Sequence, residues 1–351
     1  MPSPILVIRL GKIGDSVMTF DAISILRQRF PDSSIHVLTE DANRGIYELC
    51  GYVSCVISVP ALHYVRIRFN DLVSLVKVIF RLRSNGYGKV IDLQDHSFWS
   101  EFICRVVAPF SCSPFPGQWW LTRRPQNLPD FMRANAVVPM RRAFCLIAAG
   151  SSAIEPERHS LRIRSRWQLQ AETFWKDYFL ISKIVVFCHL GAGSPQKVWP
   201  MERYIDLFRY FLENSSVRFV CSAGPDEPSL NSINWPKNVN LVRPCSIGYL
   251  AALMRNSQVF LGSDTGPSHL AVELNLRGVI IVQPTTRIDL WYPSPCSLDL
   301  IQKTRPDCAD CDSTLKPKCK NCFEQISVQN VAKLIADSIE CARRVTCSAE
   351  L

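Results

Sequence analysis

Short, largely apolar runs recur along this chain. Nearly every one is followed by a turn rich in Gly, Asp or Pro and then by an amphipathic stretch. Ile5-Leu-Val-Ile-Arg-Leu10 opens the pattern, Gly11-Lys-Ile-Gly14 and Asp15 follow, and Val17, Ile23, Leu26 and Phe30 then repeat at helical spacing. Pro31-Asp32 stops that helix and Ile35–Leu38 reads as the next strand. Strand, turn, helix, strand is the unit of a parallel, doubly wound sheet: a parallel neighbour requires a crossover, and crossovers cover both faces of the strands. A second amphipathic helix over Leu72–Leu82 and a strand over Lys89–Leu93 continue the series.

The alternation resumes after an irregular middle. Residues 111–135 carry Pro114, Pro116, Pro125 and Pro129, which forbid long elements, and residues 150–166 are poor in periodicity and rich in Arg. Strand Ile184–Leu190, the loop Gly191-Ala-Gly-Ser194 and a helix after Pro200 then repeat the unit, as do strands Arg218–Cys221, Val259–Gly262 and Val279–Val282. Helices are expected at Ile247–Arg255, after Pro267 and over Ser327–Arg343. A chain of 351 residues suits two domains of this kind. The expected class is therefore α/β, with domains at 1–170 and 171–351 facing each other across a cleft.

Composition narrows the setting. At 47% hydrophobic and 20% charged residues the chain can bury two cores. No apolar run reaches the ~18–20 residues of a membrane span, and Ile5–Ile8 is too short for a signal-peptide core, so a cytosolic protein is expected. Fifteen Cys in such a chain point to reduced thiols rather than a secreted disulfide framework. The net charge is +9, and residues 1–180 hold most of the surplus, with 22 Lys and Arg against 15 Asp and Glu. An anionic partner is implied. Zinc-finger, helix-turn-helix and aromatic RNP patterns are all missing, which argues against nucleic acid.

Missing motifs exclude several chemistries. There is no G-x-x-x-x-G-K-S/T phosphate loop, no G-x-S-x-G elbow and no H-E-x-x-H helix. Gly191-x-Gly193-x-x-Gln196 lacks the third glycine of a dinucleotide fingerprint.

Four segments remain, each at the carboxyl end of an expected strand, where open α/β sheets bind ligands. In Arg9-Leu-Gly-Lys-Ile-Gly-Asp15 the carboxylate is either a first-turn charge favoured by the helix dipole or a base able to accept a proton from a hydroxyl. In His189-Leu-Gly-Ala-Gly-Ser194, small residues such as Gly193 let a ligand approach the backbone. Lys197 in Lys197-Val-Trp-Pro200 offers a point charge for phosphate, or is a solvated lysine. Ala223-Gly-Pro-Asp-Glu227 places Asp226 and Glu227 after a turn, where a carboxylate can accept from ribose hydroxyls. In Gly262-Ser-Asp-Thr-Gly-Pro-Ser-His269, amides around Thr265 and Gly266 begin a helix whose Pro267 suits its first turn, and they suit an anion such as a diphosphate. Asp264 beside them suits sugar hydroxyls, and His269 suits a structural hydrogen-bonding role.

These segments, in this order, resemble glycosyltransferase family 9, the lipopolysaccharide heptosyltransferases. Ile5–Asp15 with Phe30-Pro-Asp-Ser-Ser-Ile35, Lys197-Val-Trp-Pro200, Asp264-Thr-Gly-Pro-Ser-His-Leu-Ala271, and Pro284-Thr285 with Trp291-Tyr-Pro293 carry the likeness, which spans residues 4–340. The resemblance implies a GT-B fold of two Rossmann-like domains, the N-terminal one for an acceptor and the C-terminal one for ADP-heptose. It also implies inversion at the anomeric carbon with no cofactor or catalytic metal. By the same likeness Asp15 is the base and Lys197 the cation balancing the departing ADP. Asp264 holds the heptose, Thr265-Gly266 cradle the diphosphate with Gly193, Ser194 and His269 nearby, and Asp226 or Glu227 binds ribose. Departures from the family pattern at Phe20-Asp21, Asp95, Asn275, Arg277 and Gln283 leave Asp15, Lys197 and Asp264 untouched.

Lys12, Arg123 and Arg124 are candidates for a phosphorylated, lipid-anchored glycan acceptor, with peripheral contact at the cytoplasmic face of the inner membrane, although Arg123-Arg124, like the Arg-rich stretch 158–166, also reads as a solvated face. Alternatives are another nucleotide sugar, a protein acceptor, or a degenerate member that binds nucleotide without transfer. Finally, Cys308-Ala-Asp-Cys311 and Cys319-Lys-Asn-Cys322 form paired C-x-x-C units separated by seven residues. That spacing suits either a structural zinc or iron or four reduced thiols, and neither reading makes the cluster catalytic.

Overall fold

Leu6, Val7 and Ile8 are wholly buried, as a run without polar alternation demands. The computed structural model describes residues 2–60, 69–94, 98–107, 112–113, 140–149, 156–157, 161–193, 197–224, 230–284, 286, 288–292, 296–302 and 323–349. It divides into two units, Met1–Arg162 and Ile163–Leu351.

In the first unit, strands β1 (Ile5–Ile8), β2 (Ile35–Glu40), β3 (Cys55–Val59), β4 (Lys89–Asp92) and β5 (Cys112–Ser113) form one parallel sheet ordered β3-β2-β1-β4-β5. Ile5 lies opposite Ile35 on one side and Lys89 on the other. Leu6, Ile8, Leu38, Val90 and Ile103 pack with Leu75 and Leu82 from the helix Phe69–Ser84. The helix expected from Val17 to Phe30 is instead two, Ile13–Val17 and Phe20–Arg29. The break has a local cause: the Thr19 hydroxyl donates back to the Ser16 carbonyl at 2.7 Å and meets the Tyr47 hydroxyl at 3.2 Å. The helix Met140–Ala149, which the sequence did not announce, packs beside Phe20–Arg29.

In the second unit, β6 (Ile184–His189), β7 (Val217–Ser222), β8 (Val239–Leu241), β9 (Val259–Ser263), β10 (Arg277–Val282) and β11 (Leu298–Gln302) form a parallel sheet ordered β11-β10-β9-β6-β7-β8. The helix Ser165–Asp177 belongs to this unit, packed on Ile247–Arg255, so the division comes earlier than the expected 170/171. Trp199 is fully buried, donates Nε1–H to the Ile326 carbonyl at 3.2 Å and meets Tyr204 edge-on. It therefore ties the start of the helix Met201–Tyr210 to the approach of the terminal helix Val328–Ala349.

Each sheet reverses its strand order once, between β1 and β4 in the first unit and between β6 and β9 in the second. Crossover chains diverge there, leaving a crevice at the carboxyl ends of the strands.

Two positions at the start of β10 rest on special backbone. Asn275 (φ 54°) ends the helix Gly266–Glu273: its N–H donates to the Val272 carbonyl and that of Leu276 to Ala271. Asn tolerates this left-handed position better than most side chains do. Gly278 (φ 136°) has no such substitute, because a Cβ there would lie 1.9 Å from the Phe260 carbonyl oxygen across the β9–β10 pair. Gly278→Ala should cost about 2–4 kcal/mol, read as a lower urea midpoint. An unchanged midpoint would contradict this strand register.

Candidate functional site

At the first reversal point, β1 runs directly into Arg9. Its guanidinium is buried, donates Nη1–H to the Leu93 carbonyl just past β4 at 2.6 Å, and lies 5.2 Å over the Phe144 ring. Nη2 stands 3.2 Å from Asp15 Oδ2, in the first turn of the helix Ile13–Val17. Two strand ends and a helix start are thereby joined through one side chain. Asp15 keeps 27% of its side chain exposed, so its orientation is fixed while solvent still reaches it.

Around the same turn, the Asn43 amide donates to the Gly11 carbonyl, and Asp92 Oδ1 accepts the Gln94 N–H at 2.9 Å. A Cβ on Gly11 would lie within 3.5 Å of Arg9 Nε, Asp15 Oδ2 and Gln94 Oε1 alike. A carboxylate held in this way can accept a proton or a hydrogen bond from a hydroxyl. Lys12 is exposed at the start of the helix.

At the second reversal point Asp264 follows β9, its N–H donating to the Ile281 carbonyl of β10 at 3.2 Å. Its carboxylate gathers donors from three other segments. Tyr292 donates its hydroxyl to Oδ1 at 2.6 Å. Thr286 Oγ1 and Lys197 Nζ reach Oδ2 at 3.2 and 3.4 Å. His269 Nε2 lies 4.0 Å from Oδ1, and its ring stacks on Tyr292 with centroids 4.8 Å apart. Burial, and then the Asp264 charge, push the Tyr292 phenol well above its ordinary range, so it remains a donor. Gln302 Nε2 holds the Thr286 segment by bonds to the Gln283 and Thr286 carbonyls at 2.7 and 2.9 Å.

Beside this carboxylate begins the helix Gly266–Glu273, with Thr265 extended before it, Pro267 in its first turn, and Ser268 donating to the Ser263 carbonyl. The amides of a helix's first turn have no acceptor within the helix and favour anions. Lys197, 35% exposed, adds a cation at the same place.

Thus Asp15 stands in one reversal point, and Lys197, Asp264, Thr265, Gly266 and His269 in the other. Gly193 is described in the loop after β6. Ser194, Asp226, Glu227, Arg123, Arg124 and the four cysteines Cys308, Cys311, Cys319 and Cys322 lie outside the described residues. Arg9 and Tyr292 lie within the motifs read from the sequence but were given no role there, and Thr286 was not singled out. Arg9 is the lone charge in an apolar run, and Tyr292 comes from a segment distant from Asp264 in sequence. Among the described residues no group of His, Cys, Asp or Glu is arranged to hold a metal ion. No described helix is long and apolar enough to cross a membrane.

His189, which ends β6 beside this site, is buried with Nδ1 3.0 Å from the Ser222 hydroxyl. Burial lowers its pKa from 6.5 to about 4. Above pH 6.5 both folded and unfolded chains carry it neutral. As pH falls from 6.5 to 4 the unfolded chain takes up a proton that the folded one refuses, so stability drops by roughly 3 kcal/mol and then levels. His189→Asn should remove this part of the pH profile when urea midpoints of both proteins are compared across pH 4 to 7. Parallel profiles would contradict a neutral buried imidazole.

Comparison with known proteins places these features in a family. Residues 75–293 match the model of glycosyltransferase family 9 (heptosyltransferase). The fold is similar to that of a family 9 glycosyl transferase from Veillonella parvula, at 18% identity and TM-score 0.77, covering 96% of this chain and 97% of that one. It is similar to the ADP-heptose LPS heptosyltransferase II of E. coli, at 16% identity and TM-score 0.71, covering 97% and 99%. A third likeness is to the iron-containing dodecameric glycosyltransferase TibC of enterotoxigenic E. coli, at 14% identity and TM-score 0.56, covering 97% of this chain and 77% of that one. With the α/β, GT-B class and the family match together, the chain belongs to glycosyltransferase family 9, the heptosyltransferase family, and is a glycosyltransferase.

Proposed function

We propose that the enzyme transfers heptose from ADP-heptose to a hydroxyl of the lipopolysaccharide inner core, with inversion at the anomeric carbon. The observation that carries the reading is the Asp264 cluster. A carboxylate with three converging side-chain donors, one of them a partly exposed lysine, beside a helix N-terminus suits a sugar bearing a diphosphate. The similarity to an E. coli enzyme named for ADP-heptose supports the choice of donor.

In this reading Asp15 accepts the proton of the acceptor hydroxyl as its oxygen attacks the anomeric carbon. The bond from that carbon to the diphosphate breaks, and ADP departs with the electron pair. Lys197 and the amides at Thr265 and Gly266 balance the charge that develops on the diphosphate, so a Lewis-acid metal is dispensable. Asp264 accepts from heptose hydroxyls, with His269 and Tyr292 fixing its orientation. Gly193 and Ser194 let the donor approach the loop after β6, and Asp226 or Glu227 takes the ribose. Lys12, Arg123 and Arg124 meet phosphates of a lipid-anchored acceptor at the cytoplasmic face of the inner membrane. Arg9 positions Asp15 without touching substrate.

Asp15→Asn should lower kcat by about 10²–10⁴-fold while ADP still raises the thermal midpoint as in the unaltered enzyme. Normal turnover by this variant would remove Asp15 from the role of base. Stabilisation by UDP or GDP in preference to ADP would instead select another nucleotide sugar.

The paired C-x-x-C spacing supports a structural zinc or iron apart from the reaction, as does the likeness to an iron-containing relative. Elemental analysis of the purified protein is expected to return one such ion per chain. Metal-free protein with reactive thiols at Cys308, Cys311, Cys319 and Cys322 would select the plain-thiol reading.

A further inference from the structure

We infer that the outer face of the helix Phe69–Ser84 is a docking surface for an anionic lipid bilayer. The helix is apolar on two opposite sides. Its inner side is accounted for, since Leu75 and Leu82 are buried in the core of the first unit with Val78 and Ile79 packed against it. Its outer side is not, because Val73, Val76 and Phe80 are 38%, 44% and 70% exposed.

At about 100° per residue these three fall within about 60° of one another around the axis, a single narrow row along two turns. Viewed from Phe80, Lys77 lies about 60° and Arg81 about 100° to one side, and Arg83 about 60° to the other. All three basic residues are exposed, and no Asp or Glu occurs from 72 to 84.

Single exposed apolar residues are ordinary on protein surfaces. An apolar row bordered on both sides by cations, with no anion among them, is the pattern of a helix lying in the headgroup region. There the apolar side chains enter the acyl boundary and the cations meet lipid phosphates. Charge decides among the partners that could cover such a row. A second copy of this face would bring Lys77, Arg81 and Arg83 against their own equivalents, which repel, whereas an anionic bilayer complements all three. Another apolar exposure, at Leu169, Tyr178, Phe179 and Ile181, is interrupted by Glu172 and Asp177 and lacks this one-sign border.

The inference deepens the reading of a membrane-borne acceptor but does not depend on sugar transfer, and its test keeps the two apart. The full-length protein is floated with vesicles of phosphatidylglycerol and phosphatidylcholine, or of phosphatidylcholine alone, without substrates. Binding is expected to the anionic vesicles, to weaken with added salt and to be marginal on the neutral ones. Phe80→Ser, and separately Lys77→Glu with Arg81→Glu and Arg83→Glu, should each lower partition at least about tenfold, with an unchanged urea midpoint showing an intact fold. Turnover on a lipid-free acceptor glycan should be unaltered in both variants. Failure of the wild type to bind anionic vesicles, or binding by the charge-reversed variant equal to it, would overturn the surface. So would a concentration-dependent dimer that Phe80→Ser abolishes, which would identify a second copy as the occupant. Loss of turnover in Asp15→Asn bears on the transfer reading alone.

Discussion

A parallel sheet that adds strands on both sides of its first strand must send its crossovers apart at one point, and side chains at the strand ends there have no helix above them. Both polar clusters of this protein sit at such points, β1/β4 in one unit and β6/β9 in the other. The backbone thereby supplies what neither cluster could supply for itself: polar groups gathered from separate segments without the cost of burying loops between them. Arg9 links the ends of β1 and β4 through Leu93 and Asp15. Asp264 links the end of β9 to the segments of Lys197, Thr286 and Tyr292.

The two clusters manage charge in opposite ways. In the first, the buried group is the cation, and it is held by a carbonyl, an aromatic face and one carboxylate, so the carboxylate can stay partly in water. Burying the guanidinium and exposing the acid fixes the acid's direction without removing it from reach. In the second, the carboxylate is the enclosed partner and the lysine the more exposed one. Neutral donors from Tyr292 and Thr286 carry much of the load on Asp264, so the lysine is not needed solely to keep that carboxylate satisfied.

Much of this architecture was legible in the sequence, for a definite reason. Strands buried on both faces must be apolar at consecutive positions, so Ile5–Ile8, Ile184–His189 and Val259–Ser263 announced themselves. The Gly- and Asp-bearing turns after them marked Asp15, Lys197 and Asp264. What escaped was set by contacts between distant segments. The interruption at Thr19 depends on a hydroxyl turning back onto Ser16 and meeting Tyr47, neither of which a periodicity count contains. The helix Met140–Ala149 follows a proline-rich stretch that suggested only irregular chain. Arg9 heads a candidate segment in the sequence, but its burial there rests on partners at Leu93 and Phe144 that lie far from it in the chain. Tyr292 and Thr286 belong to the site only because β10 runs beside β9, a pairing that the sequence implies no more than generally.

The Asp264 cluster also bears on how a diphosphate could be accepted beside a carboxylate of like charge. At 3.4 Å the Lys197–Asp264 pair has a gross Coulomb attraction of about 4–5 kcal/mol at an effective dielectric near 20, most of it offset by desolvation and by solvent at the lysine. A diphosphate entering at the helix start would draw Lys197 with a comparable or larger attraction, since it carries more charge over a similar distance. Removing the lysine from a carboxylate with no other donors would leave a nearly buried anion unpaired, a change costing several kcal/mol. Here Tyr292 and Thr286 remain in place, and the hydroxyls of a bound sugar can fill the position the lysine leaves. Under the proposed donor reading the exchange would therefore carry little net penalty, because of the two neutral donors rather than the charged pair. Removing the Tyr292 hydroxyl alone would tighten the hold of Asp264 on Lys197 and set the carboxylate against the incoming anion.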